Sequence, residues 1–495
     1  MGDENTELSA PEARHLLRRT GFGVNEGLLT AILNNQETRG QAADRLLDFK
    51  PTGFRPRGKY IDLAHNKWVK YMTRTNRELQ EKLVLFWHDH FATNYNVIGD
   101  LDLMANQNRL FRQQCKGNFK TLVKAINKDG AMMDFLDTIR NRDEQPNENY
   151  ARELQELFTL GVKDLTPSAA PNYDQEDIVQ IARAFTGWRY DSNDGAFLNE
   201  NRHDFNEEWE LERGPKVIYK VRGGFNDIDG QSFIVGGEGE NEIDEVIDII
   251  FSHKDSQGKN TVARYIARRL ITYFAHPNPD LAFVDQVVTA SNFGTQFEIA
   301  PLLRAIFVHD SFYESMAGAP FGAATKKSVK WPIEYVVGTL RALRIKLKSK
   351  YQYIEGGSYD TIRDQLTNMG QVVFEPPSVF GWDWETGWLS SATLLARYGF
   401  ARDVTSARGS GGTSFRPDRL FDLSETNAAA IVLQVTDLLG VTDQLTTAEK
   451  DALRDYLTDG GPPNTPIDLN DFDYRDMKLN GLVALVLQSP AYQLQ

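Results

Sequence analysis

Apolar residues recur at helical spacing along most of this chain, and that periodicity limits the architectures open to it. In RELQEKLVLFWHDHF, the residues Leu79, Leu83, Phe86 and His90 fall at i, i+4, i+7 and i+11, one stripe of a helix turning about 100° per residue. The runs ENEIDEVIDIIFSH, NTVARYIARRLITYFAH, APLLRAIFVHDSFY and WPIEYVVGTLRALRI repeat the pattern. Pro332 stands near the start of the last run, where a missing N–H costs a helix nothing. Near the end, Thr446 and Glu449 stand at capping-box spacing. The expected fold class is all-α, a mostly helical body of many helices with a small β-hairpin excursion around residues 191–240.

That excursion is marked by Gly, Asn and Asp gathered around the short alternating run PKVIYKV, which suits a hairpin or two. Residues 368–391 combine Pro376 and Pro377 with three tryptophans, and read as a fixed aromatic loop. Residues 407–418 are Gly/Ser-rich and read as a mobile connector. At 495 residues the chain exceeds one typical domain. The expected division is a main body over 1–405, carrying the excursion and the aromatic loop, with a C-terminal helical segment over 406–495 packed on it.

Charge excludes one class of partner. A net charge of −14 opposes the dense basic surface that a phosphate backbone requires, so no nucleic acid is expected. No stretch approaches the roughly 20 uninterrupted apolar residues of a membrane span. The single cysteine, Cys115, rules out an internal disulfide or a cysteine-rich zinc site. The first residues lack the basic and apolar regions of a secretory leader. The location expected is cytoplasmic if Met1 is the native start, and periplasmic or extracellular if a leader was removed.

The segment NENYARELQELFTLG, residues 147–161, carries the densest candidate chemistry. On a helical wheel Tyr150, Leu154, Leu157 and Phe158 fill an apolar arc, whereas Asn149, Glu153 and Glu156 share a second arc roughly 60° wide. Arg152 lies four residues from both Glu148 and Glu156. Either this is a salt-bridged helix face, or Glu153 and Glu156 point into a cleft as ligands or an acid/base pair. FWHDHF adds His88, Asp89 and His90. On a continuous helix residues two apart project about 200° apart and cannot meet one ion. Either the helix ends near His88, or only one imidazole faces a site. NRHDF adds His203 and Asp204. A set made of His88, His90, His203 and Asp204 with the two glutamates has the donor types of a divalent metal site. Trp382, Trp384 and Trp388 could stack on sugar rings or anchor the loop internally. The calcium-loop look of NDIDG fails on register, and no GxSxG, Walker A or GxGxxG pattern is present.

Eight ordered motifs, EARHLLRRTGFG, LVLFWHDHFAT, NENYARELQELFTLGV, IARAFTGW, HDF, VKWPIEYVVGTLRAL, MGQVVFEPPSVFGW and LVALVLQSPAYQLQ, resemble the bacterial family called domain of unknown function 1800. The resemblance runs over about residues 8–495. It implies a largely helical fold, no established reaction, frequent export, and genes often adjacent to a sulfatase-like partner, which hints at polysaccharide or envelope biology. One departure is the acidic segment after His203 and Asp204, where relatives turn quickly through a lysine and glycines. The reading drawn from residues and resemblance together is a metal-assisted hydrolase. In it Glu153 and Glu156 serve as ligands or base, Arg152 orients an anionic group, and His88, His90, His203 and Asp204 hold the metal. Asn149, Trp382, Trp384 and Trp388 contact substrate. The alternatives are a non-catalytic scaffold or surface-assembly protein, and a carbohydrate-binding protein using the tryptophan loop.

Overall fold

The computed structural model describes residues 3–191, 195–205, 215–219, 233–235, 239–316, 326–347, 361–406 and 414–495. The acidic segment at 206–214, the NDIDG run at 226–230 and the connector residues 407–413 lie outside them. The chain is mostly helical. One contiguous apolar cluster runs from Leu8 to Leu494.

At its centre lies the helix Glu78–His90, called here the histidine helix. Its 13 residues are all buried, the charged ones included. Such a helix cannot be amphipathic in the ordinary sense, and every polar side chain needs an internal partner. Those partners come from distant segments. Glu78 accepts from the Phe22 amide at 3.0 Å and from Asn25 Nδ2 at 3.2 Å, and pairs with Arg341. Glu81 accepts from Trp68 Nε1 at 2.9 Å and takes both arms of Arg112. Lys82 Nζ lies 2.5 Å from Glu334 Oε1. Gln80 donates to the Arg112 carbonyl at 3.3 Å.

Two of the other helices begin where their caps predict. Pro332–Ala342 begins with Pro332 in its first turn. Thr447–Thr458 begins with the Thr446 and Glu449 capping box. The helix Pro332–Ala342 also approaches the chain at Phe22 so closely that a Cβ on Gly338 would strike the Phe22 carbonyl. Near the C-terminus, Asn480–Gln488 packs along Ser391–Ser406. Cys115 is fully buried and burial pushes its thiol up to about 12, so it is an inert core side chain. Among the described residues no helix is long and apolar enough to cross a membrane.

Among the described residues the sheet content is two small antiparallel ladders. Trp188–Asp191 pairs with Gly195–Leu198, starting slightly before the expected excursion. Among the described residues of PKVIYKV, Val217–Ile218 forms strand, paired with Phe233–Ile234.

The Glu81 and Arg112 side chains are both 0% exposed. Removing one partner leaves a buried charge uncompensated, so Arg112→Met is expected to cost about 3–5 kcal/mol. In urea unfolding the double variant Glu81→Met/Arg112→Met should lose less than the two single losses combined.

Candidate functional site

The histidine helix continues through His90, so its two imidazoles diverge. His88 Nε2 accepts the Phe374 backbone N–H at 2.9 Å, and its ring packs edge-on against Trp382 at 5.1 Å. His90 Nε2 faces the Phe158 carbonyl at 3.1 Å, a geometry in which the ring N–H donates. Burial holds both imidazoles well below their ordinary value, His88 at about 3. Both are neutral joints.

Asp89, between them, does the most. Its Oδ1 accepts the Trp382 N–H at 2.7 Å, and its Oδ2 accepts Trp384 Nε1–H at 2.9 Å. Arg269 reaches Oδ2 at 3.4 Å and lies 5.2 Å over the Trp384 ring. Burial raises the Asp89 carboxyl to about 6, while Arg269 and the two tryptophan donors act in the opposite direction. Gly381, at φ +83, passes so close that a Cβ would collide with the Asp89 carboxylate. The tryptophan loop is therefore tied down from inside. Trp382 and Trp388 are buried and Trp384 is partly buried.

The segment 147–161 is a short α-helix, Asn149–Glu153, that widens into a π-helix over Leu154–Thr159. Asn147 caps it by accepting the Asn149 N–H at 2.9 Å. At the far end the Leu160 and Gly161 amides both turn to the Gln155 carbonyl at 3.0 Å. Tyr150, Leu154 and Phe158 of the apolar arc are buried as expected, whereas Leu157, Glu153 and Glu156 are half-buried. Burial, reinforced by the Glu156 charge and opposed by Arg152, pushes the Glu153 carboxyl up to about 6. Its Oε2 is buried and bonds no other side chain or backbone group. Glu156 Oε2 accepts from the Tyr173 hydroxyl at 3.3 Å. Arg152 reaches Glu148 Oε2 at 3.1 Å and Gln175 Oε1 at 3.0 Å. The salt-bridged face and the carboxylate pair are thus both present, on neighbouring arcs.

His203 and Asp204 belong to a different cluster. His203 Nδ1 lies 2.8 Å from the Thr186 carbonyl, and its Nε2 lies 3.3 Å from Glu242 Oε1. Arg183 grips Asp204 with two bonds at 2.8 and 3.2 Å. Lys216 Nζ, fully buried, sits 2.8 Å from Glu242 Oε2 and donates to the Asp204 carbonyl.

A single divalent-metal sphere made from His88, His90, His203 and Asp204 does not assemble. Two of the imidazoles face opposite sides of one helix, and the other two residues serve a separate ion-pair cluster. Among the described residues no group of three or more His, Cys, Asp or Glu could hold a metal ion. Asn149 is exposed at the start of its helix, its backbone N–H held by Asn147.

Residues 15–494 match the family model described as "Protein of unknown function (DUF1800)". The chain belongs to the DUF1800 family. No curated protein and no solved structure matches it. In this DUF1800 chain, the residues that sequence reasoning left without a role are Asp89, Arg269, Lys216, Glu242 and Tyr173. Asp89 carried a signal, being an acid between two histidines directly after the apolar run 83–87. The others did not, because their partners are remote in sequence.

The Glu153 carboxyl gives a pH test. Between its ordinary value of 4.5 and about 6 the folded chain keeps a proton that the unfolded chain releases. Stability from this group is therefore complete below that window and is lost as pH rises through it. Glu153→Gln should abolish that slope and match or exceed wild type above the window, read as urea midpoints across the pH series.

Proposed function

We propose that this DUF1800 protein is a rigid non-catalytic scaffold for assembly or ligand binding, in which the chemistry-bearing motifs are buried joints between helices. The observation that carries the reading is the run His88, Asp89 and His90. Three consecutive buried side chains hold three different things: the Phe374 amide, the tryptophan loop with Arg269, and the carbonyl of Phe158. A catalytic donor needs a free valence toward substrate. Here His88 Nε2 and both Asp89 oxygens are spent on backbone and side-chain N–H groups. His90 Nε2 is spent on a backbone carbonyl, with its Nδ1 enclosed in the core. Hydrogen-bonded joints of this kind favour one arrangement of the helices, because a shifted arrangement leaves more buried groups unpaired. From the family resemblance the proposal takes a polysaccharide or a sulfatase-like protein of the cell envelope as partner.

A second reading has its own observation. Glu153 and Glu156 form a coupled carboxylate pair at the surface, with one acid raised to about 6 and one hydrogen-bonded to Tyr173. Paired carboxylates whose proton affinities are pushed apart are the arrangement of general acid–base hydrolysis, and π-turns occur frequently at functional sites. In that reading Glu153 donates the proton, Glu156 activates water, and Arg152 steadies an anionic group. It needs no metal.

Two variants separate these readings. Asp89→Ala strands the Trp382 amide, the Trp384 indole N–H and Arg269, and is expected to cost at least ~3 kcal/mol at about 1–3 kcal/mol per unsatisfied group. Full stability of Asp89→Ala would sink the scaffold reading. Glu153→Gln is expected to leave unfolding at neutral pH unchanged or improved; loss of polysaccharide hydrolysis in that variant, at wild-type stability, would replace the scaffold with the carboxylate hydrolase. Elemental analysis of the purified protein should show less than one bound metal per chain, unaltered in His88→Ala.

A further inference from the structure

The turn after the 3-10 helix Thr138–Arg140 and the 3-10 helix Glu200–Arg202 face each other across a cleft of about 700 Å³. Its walls include Arg140, Arg142 and Arg202, with Gln145, Asn147 and Glu148 between them. The two sides are stitched together by backbone, the Asp143 amide donating to the Arg202 carbonyl at 3.0 Å. The cleft is thus part of the fold.

Its charge balance is unusual for this molecule. The whole chain carries −14, yet this concavity gathers three guanidinium groups against one lining carboxylate. That carboxylate, Glu148, is already engaged by Arg152 and Gln175. Arg140 and Arg142 have outward pairs with Asp137 at 3.1 Å and Glu144 at 3.2 Å. Both pairs are well exposed, where such contacts are worth about 0–1 kcal/mol and exchange readily. Arg202 is exposed and forms no ion pair with a described residue. A fourth arginine, Arg189, stands close enough for its charge to feel Arg202 and Arg142. Burial, then those two like charges, hold it below its ordinary value. Its Nη1 goes to the Asn141 and Trp188 carbonyls, while its Nη2 is buried without a partner. Like charges held together without sufficient counter-charge form a positive field that a concave wall concentrates.

We propose that this cleft binds a small oxyanion-bearing ligand, a saccharide carrying sulfate or phosphate esters, with Arg142 and Arg202 as the clamp. Planar guanidinium forks match the two oxygens of such a group bidentately. The Gln145 and Asn147 amides offer both donors and acceptors to neighbouring hydroxyls. The volume suits one or two sugar units rather than a bare ion. The proposal goes beyond the scaffold reading and stands apart from it, since none of these arginines belongs to the Asp89 joint.

The test is calorimetric titration of the full chain with four probes: a sulfated disaccharide, a phosphorylated disaccharide, the same disaccharide unmodified, and inorganic sulfate. Saturable binding of an esterified sugar is expected, weakened by added salt and absent for the unmodified sugar. Preference between the first two probes identifies the ester. Arg142→Gln and Arg202→Gln should each weaken binding by about tenfold or more, given the strength of charge-assisted bonds, with unfolding midpoints unchanged. Arg402→Gln, at an exposed arginine paired with its neighbour Asp403, should bind as wild type. No saturable binding of either ester, equal binding of the unmodified sugar, or unaltered affinity in both cleft variants would overturn the proposal. Binding of inorganic sulfate as tight as the esterified sugars would also overturn it, reducing the cleft to an anion site. Because Asp89→Ala tests the scaffold and the arginine variants test the cleft, either can fail alone.

Discussion

A fully buried helix that carries charge is the constraint on which this fold rests. Glu78–His90 lies in the core on every side, and a charge in such surroundings is tolerated only where it is paired and hydrogen-bonded. Each polar side chain therefore recruits a segment: Arg341 to Glu78, Arg112 to Glu81, Glu334 to Lys82, and the tryptophan loop to Asp89. Dispersion and apolar burial make the body compact, but they are indifferent to which helix meets which. The ion pairs and hydrogen bonds supply that choice, because a shifted register would leave several of them unmatched at once.

The same logic separates the interior from the periphery. His88 and His90 are neutral and enclosed, and His203 and Asp204 are locked with Arg183, Lys216 and Glu242. Two groups open to solvent lie further out: the half-buried Glu153 carboxylate with its unpartnered oxygen, and the arginines around the cleft at Arg142 and Arg202. Both border the segment 147–161, whose first residues line the cleft and whose middle carries the carboxylates. Arg152 connects them by bonding Glu148 on one side while its charge acts on Glu153 on the other. This face of the molecule thus carries both the Glu153 and Glu156 carboxylates and the cleft arginines.

Much of the fold was legible in the sequence because helix signals are local. The stripe through Leu79, Leu83, Phe86 and His90, the Pro332 start and the Thr446 cap all act within about four residues. Helix geometry posed the choice for His88 and His90, and the continuation of the helix through His90 decided it for divergence. What misled was the inference that scattered His, Asp and Glu types meet at one centre. His203 was grouped with the glutamates by residue type, whereas the fold gives it Thr186 and Glu242.

By itself, then, the sequence determined where helices form, how they begin, and that polar residues interrupt their apolar faces. Tertiary structure alone decided what those polar residues are for. Asp89 and Trp382 are 293 positions apart, and Glu78 and Arg341 are 263 apart, so no window of sequence contains both members of either contact. Helical periodicity is written in neighbouring residues, but the partner that neutralises a buried charge is chosen by packing and becomes visible only once the chain has folded.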